Sequence, residues 1–242
     1  MILAIDAGNS RIKWGLRDGP RWRARGWREN CAVGQLAALW RPLPPPRQII
    51  VANVAGDAMK TALRAQLQHW PTEPHWVTAQ REQCGVKNGY DDPARLGGDR
   101  WAALIAAWGR LRRGCVVANV GTAVTVDALN DHGEFLGGFI VPGSILMRHA
   151  LAANTAGIDA GDAPAYQPYP RTTDNAVYSG GLAAIAGAIE RMTRQIAQRD
   201  AAPPCLLGGG GAASVAPLLP FAAEIIDNLV LDGLIRIART CS

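Results

Sequence analysis

Short apolar runs and turn-forming clusters alternate from the first residue of the chain. Residues 1–5 form one continuous apolar run, the pattern of a buried strand, and it ends in Asp6-Ala7-Gly8-Asn9-Ser10, where good turn formers collect. Ile12, Trp14 and Leu16 then fall on one face of a second strand, with Arg11 and Lys13 on the other. Arg21, Arg23 and Arg25 alternate with Trp22, Ala24 and Gly26, which predicts a half-exposed strand with arginines in water and tryptophan inward. Residues 1–28 therefore read as a strand meander. "LPPP" at 43–46 is a loop, and "QIIVANV" is a buried strand. Residues 57–70 carry helical spacing, with Met59, Leu63 and Leu67 on one face and Asp57 as N-cap. "HWVTA" reads as another strand, and 81–98 as a loop rich in Gly, Asn, Asp and Pro. From Asp99, "DRWAALIAAWGRL" predicts a helix apolar nearly all round, buried between layers or between subunits.

The pattern then repeats. "CVVANVGTAVTVDAL" is an apolar strand, a glycine turn and an apolar strand, as "ILAIDAGNSRIKWGL" is, and Asp6-Ala7-Gly8-Asn9 aligns with Asn119-Val120-Gly121-Thr122. Two such turns at equivalent places suggest an internal duplication. "GEFLGGFIVPG" continues as a strand entering a turn at Pro142-Gly143, followed by a helix over 146–153. A flexible segment around "GDAPAYQPYPRTTD" precedes the helix "AVYSGGLAAIAGAIERMTRQIAQR". "PCLLGGGGAAS" is a short strand running into four glycines, and "EIIDNLVLDGLIRIA" closes with a strand and a helix.

Composition narrows the class. In 242 residues, nearly half of them hydrophobic, the chain can bury a sizeable core. No apolar run approaches the ~20 residues of a membrane span, and Asp6 interrupts the only N-terminal run that could serve as a signal, so a soluble cytoplasmic protein is expected. The cysteines at 31, 84, 115, 205 and 241 have no metal-ligand spacing, which predicts reduced, mostly buried thiols. The four histidines are equally scattered, and no transition metal is expected. The net charge of +5 suits a protein that handles anions. The alternating arginines at 21–25 read as a solvated strand face, so neither nucleic acid nor membrane is expected as a partner.

The chemistry concentrates at the glycine turns. A glycine that lets a ligand reach the backbone, small polar donors and the cation of Lys13 are the parts of a phosphate site. Neither G-x-G-x-x-G nor G-x-x-x-x-G-K-[ST] follows a strand, so neither a dinucleotide-fold nor a P-loop site is supported. By analogy, two duplicated α/β halves, each offering a glycine turn to phosphates, with a third glycine-rich loop at 208–211, describe the actin–hexokinase–Hsp70 superfamily.

Within that superfamily the chain resembles type III pantothenate kinase over almost its full length. The resemblance rests on "DAGNSRIKWG" at 6–15, "GYDDPARLGGDRW" at 89–101, "VGTAVTVD" at 120–127, "GGFIVPG" at 137–143 and "TDNAVYSGG" at 173–181. It implies a duplicated actin-like (ribonuclease H-like) α/β fold with mixed sheets, an N-terminal half over 1–113, a C-terminal half over 114–242 and a nucleotide cleft between them. It implies transfer of the γ-phosphoryl of ATP to the primary hydroxyl of pantothenate, the first step towards coenzyme A. A homodimer, Mg²⁺ with ATP and a monovalent cation, K⁺ or NH₄⁺, are implied with it. Carried over by motif, Asp6, Ala7, Gly8, Asn9, Ser10, Arg11, Ile12 and Lys13 resemble the first phosphate loop, with Asp6 acting through hydrated Mg²⁺, and Thr122 the second phosphate contact. Tyr90, Gly97, Gly98, Asp99, Arg100 and Thr173 resemble pantothenate contacts, with Asp99 as general base. On the residues alone, an N-cap would equally explain Asp99 and Thr173. The metal ligands are left unassigned, because Asn119 stands where many members carry an aspartate that helps hold the monovalent cation. Two other readings are weighed beside this one: a kinase of the same fold with another small acceptor, and a nucleotide-binding regulator without catalysis.

Overall fold

The computed structural model describes residues 1–159, 165–197 and 202–240. The chain divides into two compact units, one comprising Met1–Arg112, Gly133–Phe135 and Asn228–Ser242, the other Arg113–His132 and Leu136–Asp227.

The first unit opens with the expected meander of β1 (Ile2–Ala7), β2 (Arg11–Asp18) and β3 (Arg21–Glu29), each antiparallel to the next. Period-2 alternation decides its faces: Leu3, Ile5, Ile12, Trp14 and Leu16 turn into the core, while Arg21, Arg23 and Arg25 stay in water. After α1 (Leu36–Trp40), β4 (Gln48–Asn53) joins parallel to β1, α2 (Gly56–Leu67) crosses over, and β5 (Pro74–Trp76) lies parallel to β4. Trp40, Leu36, Leu63 and Leu67 bring α1 and α2 onto one face of the sheet. Asp57, expected as the cap of α2, sits inside its first turn instead. The position before the helix is Ala55, with no side-chain cap, because Gly56 takes a positive φ of 85° and starts the helix itself.

The stretch 81–98, expected as a loop, holds β6 (Glu82–Gln83) and β7 (Val86–Asn88), an antiparallel hairpin. Strands of two and three residues leave no period to read. The next element, α3 (Gly98–Leu111), is apolar all round for an internal reason. It packs on β4 and, along its length, against α7 (Leu229–Thr240), the last helix of the chain. Gly233 of α7 lies on the backbone of Ala102 with no space for a side chain.

The second unit contains β8 (Cys115–Val120), β9 (Ala123–Leu129), most of β10 (Glu134–Pro142), α4 (Ser144–Asn154), α5 (Thr173–Ile196), β11 (Cys205–Gly208), α6 (Ala212–Val215) and β12 (Ala223–Ile225). The first residues of β10, Glu134 and Phe135, belong to the first unit, where they pair parallel to β7. Leu182, Ile185, Ile189 and Met192 of α5 pack on Val116, Ala118, Val124 and Val126. The strand order is β3-β2-β1-β4-β5 in one unit and β10-β9-β8-β11-β12 in the other. In each, the central strand runs antiparallel to its successor and parallel to the strand on its other side. The two units thus share one topology, which is the duplication that the repeated glycine turn suggested.

Two expectations need correction or delimiting. The thiols are not mostly buried: Cys115 and Cys205 are, and burial pushes both up to about 12, but Cys84 is half-buried and Cys31 exposed. Cys241 lies outside the described residues, as does 160–164 of the segment expected to be flexible.

Candidate active site

The parallel neighbours β1 and β4 set the position of the first unit's carboxylates. Asp6 lies near the C-terminal end of β1, directly opposite Lys13 on β2. Asp99 sits in the first turn of α3, and the two carboxylates are close enough to repel. Burial pushes Asp6 up to about 7; the charge of Asp99 adds to the rise and that of Lys13 opposes it. Asp99 is raised as well, chiefly by burial, against the pull of the Arg100 backbone N–H and guanidinium. The cations of Lys13 and Arg100 oppose the desolvation of the two carboxylates without undoing it, so both stay raised. Oxygen donors of that kind fit a divalent cation.

The cap position of α3 belongs to Gly97, not to Asp99. Asp99 Oδ1 accepts from Arg100 N at 2.8 Å, and a Cβ on Gly97 would stand 2.7 Å from the same oxygen. Gly97 therefore leaves room for the carboxylate. Gly98 is tight for another reason, since its Cβ would meet Val77 O at 3.0 Å.

Arg100 is 6% exposed, and its Nη1 donates to Tyr90 Oη at 2.8 Å. The guanidinium carbon lies 5.6 Å from the Tyr90 ring centre and 5.8 Å from that of Phe135, and those two rings are 5.3 Å apart. The Tyr90 backbone is held in turn. Asn88 Oδ1 accepts from Tyr90 N, and Arg81 donates to Tyr90 O and Asp91 O. The first unit thus brings Asp6, Lys13, Tyr90, Gly97, Asp99 and Arg100 into one neighbourhood. Sequence reasoning missed Arg81, Asn88 and Phe135 as its supports. Asn88 before Gly89 carried a local turn signal, but nothing local links Phe135 to a tyrosine 45 positions earlier.

Of the first phosphate loop, Ala7 and Ile12 are fully buried core residues and can offer a ligand only backbone atoms. Asn9, Ser10 and Arg11 are exposed, and Arg11 lies over the Trp27 ring at 4.5 Å. Thr122 is placed in the second unit, exposed, in the turn between β8 and β9. Its carbonyl accepts from Gly143 N at 2.8 Å, and a Cβ on Gly143 would overlap Gly121 O. Gly211 N likewise reaches Val120 O at 3.0 Å. The glycines of "VPG" and "GGGG" are therefore places of close backbone approach behind this turn. Asn119, next to last in β8, is half-buried, with its Oδ1 against Gly208 and Gly209. Thr173 is exposed at the first position of α5, and the cap expected there is Thr172, whose Oγ1 accepts from Asn175 N at 3.3 Å.

A family model described as type III pantothenate kinase matches residues 2–195. A protein of Nitrosospira multiformis named type III pantothenate kinase is 46% identical over 243 residues, covering 100% of this chain and 92% of its own. Among solved structures, a candidate 2-dehydro-3-deoxygalactonokinase of Sinorhizobium meliloti superposes with TM-score 0.65 at 14% identity, covering 100% of this chain and 99% of its own. The ethanolamine utilization protein EutJ of Carboxydothermus hydrogenoformans does so with TM-score 0.58 at 14% identity, covering 98% and 88%. At these identities the solved structures speak for the fold alone, a duplicated actin-like one.

Proposed function

The chain belongs to the type III pantothenate kinase family, and from that premise we propose how its residues divide the work of ATP-dependent pantothenate phosphorylation in coenzyme A biosynthesis. Asp99 is the base. It accepts the proton of the pantothenate hydroxyl as that oxygen bonds to the γ-phosphorus and the bond to the bridging oxygen of ADP breaks. Burial that raises its pKa makes it a stronger proton acceptor than a solvated aspartate. The single observation that carries this reading is the pair of desolvated carboxylates, Asp6 near the end of β1 and Asp99 in the first turn of α3, close enough to repel.

Gly8, Asn9, Ser10 and Lys13 receive the phosphates, with Thr122 as a second contact. Asp6 would hold hydrated Mg²⁺, which when bound neutralises the charge that develops on the transferring phosphoryl. Arg100, whose Nη1 is held by Tyr90, meets the pantothenate carboxylate with its guanidinium fork, and Gly97, Gly98 and Thr173 complete the acceptor contacts. At Asn119 a neutral amide oxygen can coordinate a monovalent cation but brings no charge, so this chain's demand for K⁺ or NH₄⁺ is weak. The protein works in the cytoplasm as a homodimer. Support for the dimer comes from the apolar surface of β10 and α4, where Leu136, Ile140, Ile145, Leu146 and Leu151 stand 40–66% exposed.

The deciding experiment measures ADP release, with and without pantothenate, in the wild type and in Asp99→Asn. Gly97 holds the cap position, so this variant folds normally. It should bind ATP while kcat falls by roughly 10²–10⁴-fold. Retention of more than about a tenth of wild-type kcat removes Asp99 from the role of base.

A further inference from the structure

The turn between β1 and β2 does not hold its shape alone. Asn30, just beyond β3, donates from Nδ2 to Gly8 O at 2.9 Å and to Asn9 O at 2.8 Å, and from its backbone N to Ser10 O at 3.1 Å. Three successive carbonyls of the turn thus accept from one residue. The assignment of the amide is forced, since a carbonyl cannot donate and only Nδ2 can serve two of them. The cost is visible: Asn30 Oδ1 is buried without a partner among the described residues. Buried acceptors are nearly always satisfied, so an amide that leaves its own oxygen stranded is fixed by what its nitrogen does.

The consequence follows from peptide geometry. In a trans peptide the C=O and the next N–H point in opposite directions. Drawing Gly8 O and Asn9 O back towards Asn30 turns the N–H groups of Asn9 and Ser10 to the far side. Consecutive N–H groups aimed one way form a concavity for an anion. At the corresponding turn of the second unit, backbone groups also reach the carbonyls, Gly143 N donating to Thr122 O and Gly211 N to Val120 O.

We propose that Asn30 is a positioning residue for phosphoryl transfer, the side chain that orients the first phosphate loop by holding its carbonyls away from the nucleotide. This rests on the reading of Gly8–Lys13 as a phosphate loop. Asn30→Asp preserves shape and removes both donors; Asn30→Ala removes the side chain. Melting temperatures are recorded for each, together with KM for ATP and pantothenate and inhibition constants for ADP and adenosine. Lys13→Ala serves as the control on the loop itself.

The expected result is that both variants fold and weaken ADP and ATP roughly 10- to 100-fold, with Asp at least as severe as Ala. Adenosine and pantothenate, which make no call on the loop, shift less than about twofold. Wild-type ADP affinity in both Asn30 variants, with Lys13→Ala weakened, overturns the role of Asn30 and leaves the loop reading standing. Unchanged ADP affinity in Lys13→Ala as well overturns the loop reading and the inference with it. Equal losses for adenosine, pantothenate and ADP, or an Asp variant that behaves as wild type, reduce Asn30 to a packing role and overturn the proposal.

Discussion

Asp6 shows how a single side chain couples site and stability. Its pKa rises from the ordinary 3.8 to about 7, so the folded chain holds a proton that the unfolded chain has released. Stability from this group is then fully present below about pH 4 and declines as pH rises through about 7. Asp99 is shifted in the same direction and adds to the slope. Without nucleotide, the melting temperature should fall between pH 5 and pH 7.5, and Asp6→Asn should flatten that fall. A slope equal to the wild type's would mean that Asp6 ionises as an ordinary surface carboxylate. Asn119 yields a second expectation at this scale. With a neutral oxygen in place of a charged one, initial rates in sodium should stay within about tenfold of those in potassium. Complete loss of activity in sodium at saturating ATP would place the cation on other ligands.

At the scale of elements, the contact of α3 with α7 is decided by the space that one glycine leaves. Gly233 lies inside a helix, where alanine would be favoured by about 1 kcal/mol on intrinsic propensity. A Cβ there, however, overlaps the carbonyl and α-carbon of Ala102. Forcing an extra carbon into such a contact costs roughly 1–3 kcal/mol. Overpacking should win, so Gly233→Ala lowers the urea midpoint despite the better helix former. A raised midpoint would show that α7 can back away freely. The same elements show where periodicity reads well. The alternation of β2 and β3 and the four-residue spacing of Met59, Leu63 and Leu67 marked strands and helix correctly, because each sets a whole stripe against the core. The hairpin of β6 and β7 was not legible, since so few residues define no stripe. The start of α2 was misread because a left-handed Gly56 replaced the side-chain cap that Asp57 advertised.

For the whole molecule, the source of the dimer expectation moves. The all-round apolar α3 suggested a subunit interface, yet its faces are spent on β4 and α7 within the first unit. Several large apolar side chains of β10 and α4 still face solvent. Ile140, 62% exposed, and Ile145, 66% exposed, are the most exposed of them. Sedimentation should show the wild type at twice the protomer mass at micromolar concentration, and the pair Ile140→Arg with Ile145→Glu as a monomer. A double variant that remains dimeric would place the interface elsewhere.

By itself the sequence determined the two glycine turns, the strands on either side of each and the motifs that mark the family, because these depend on local backbone chemistry and on near-neighbour alternation. The candidate residues that the fold brings together were legible for the same reason: Asp6, Lys13, Asp99 and Arg100 fall in short contiguous motifs. Only the tertiary structure decided what holds them. Asn30 reaches back 22 positions to Gly8, Phe135 back to Tyr90, and α7 returns from the end of the chain to cover α3. Contacts of that span leave no periodic trace, since a side chain's local pattern reports which face it buries and not which distant residue meets it there. The pKa of Asp6 belongs to the same class: a carboxylate at the end of an apolar run looks ordinary until folding removes its water and sets Asp99 beside it.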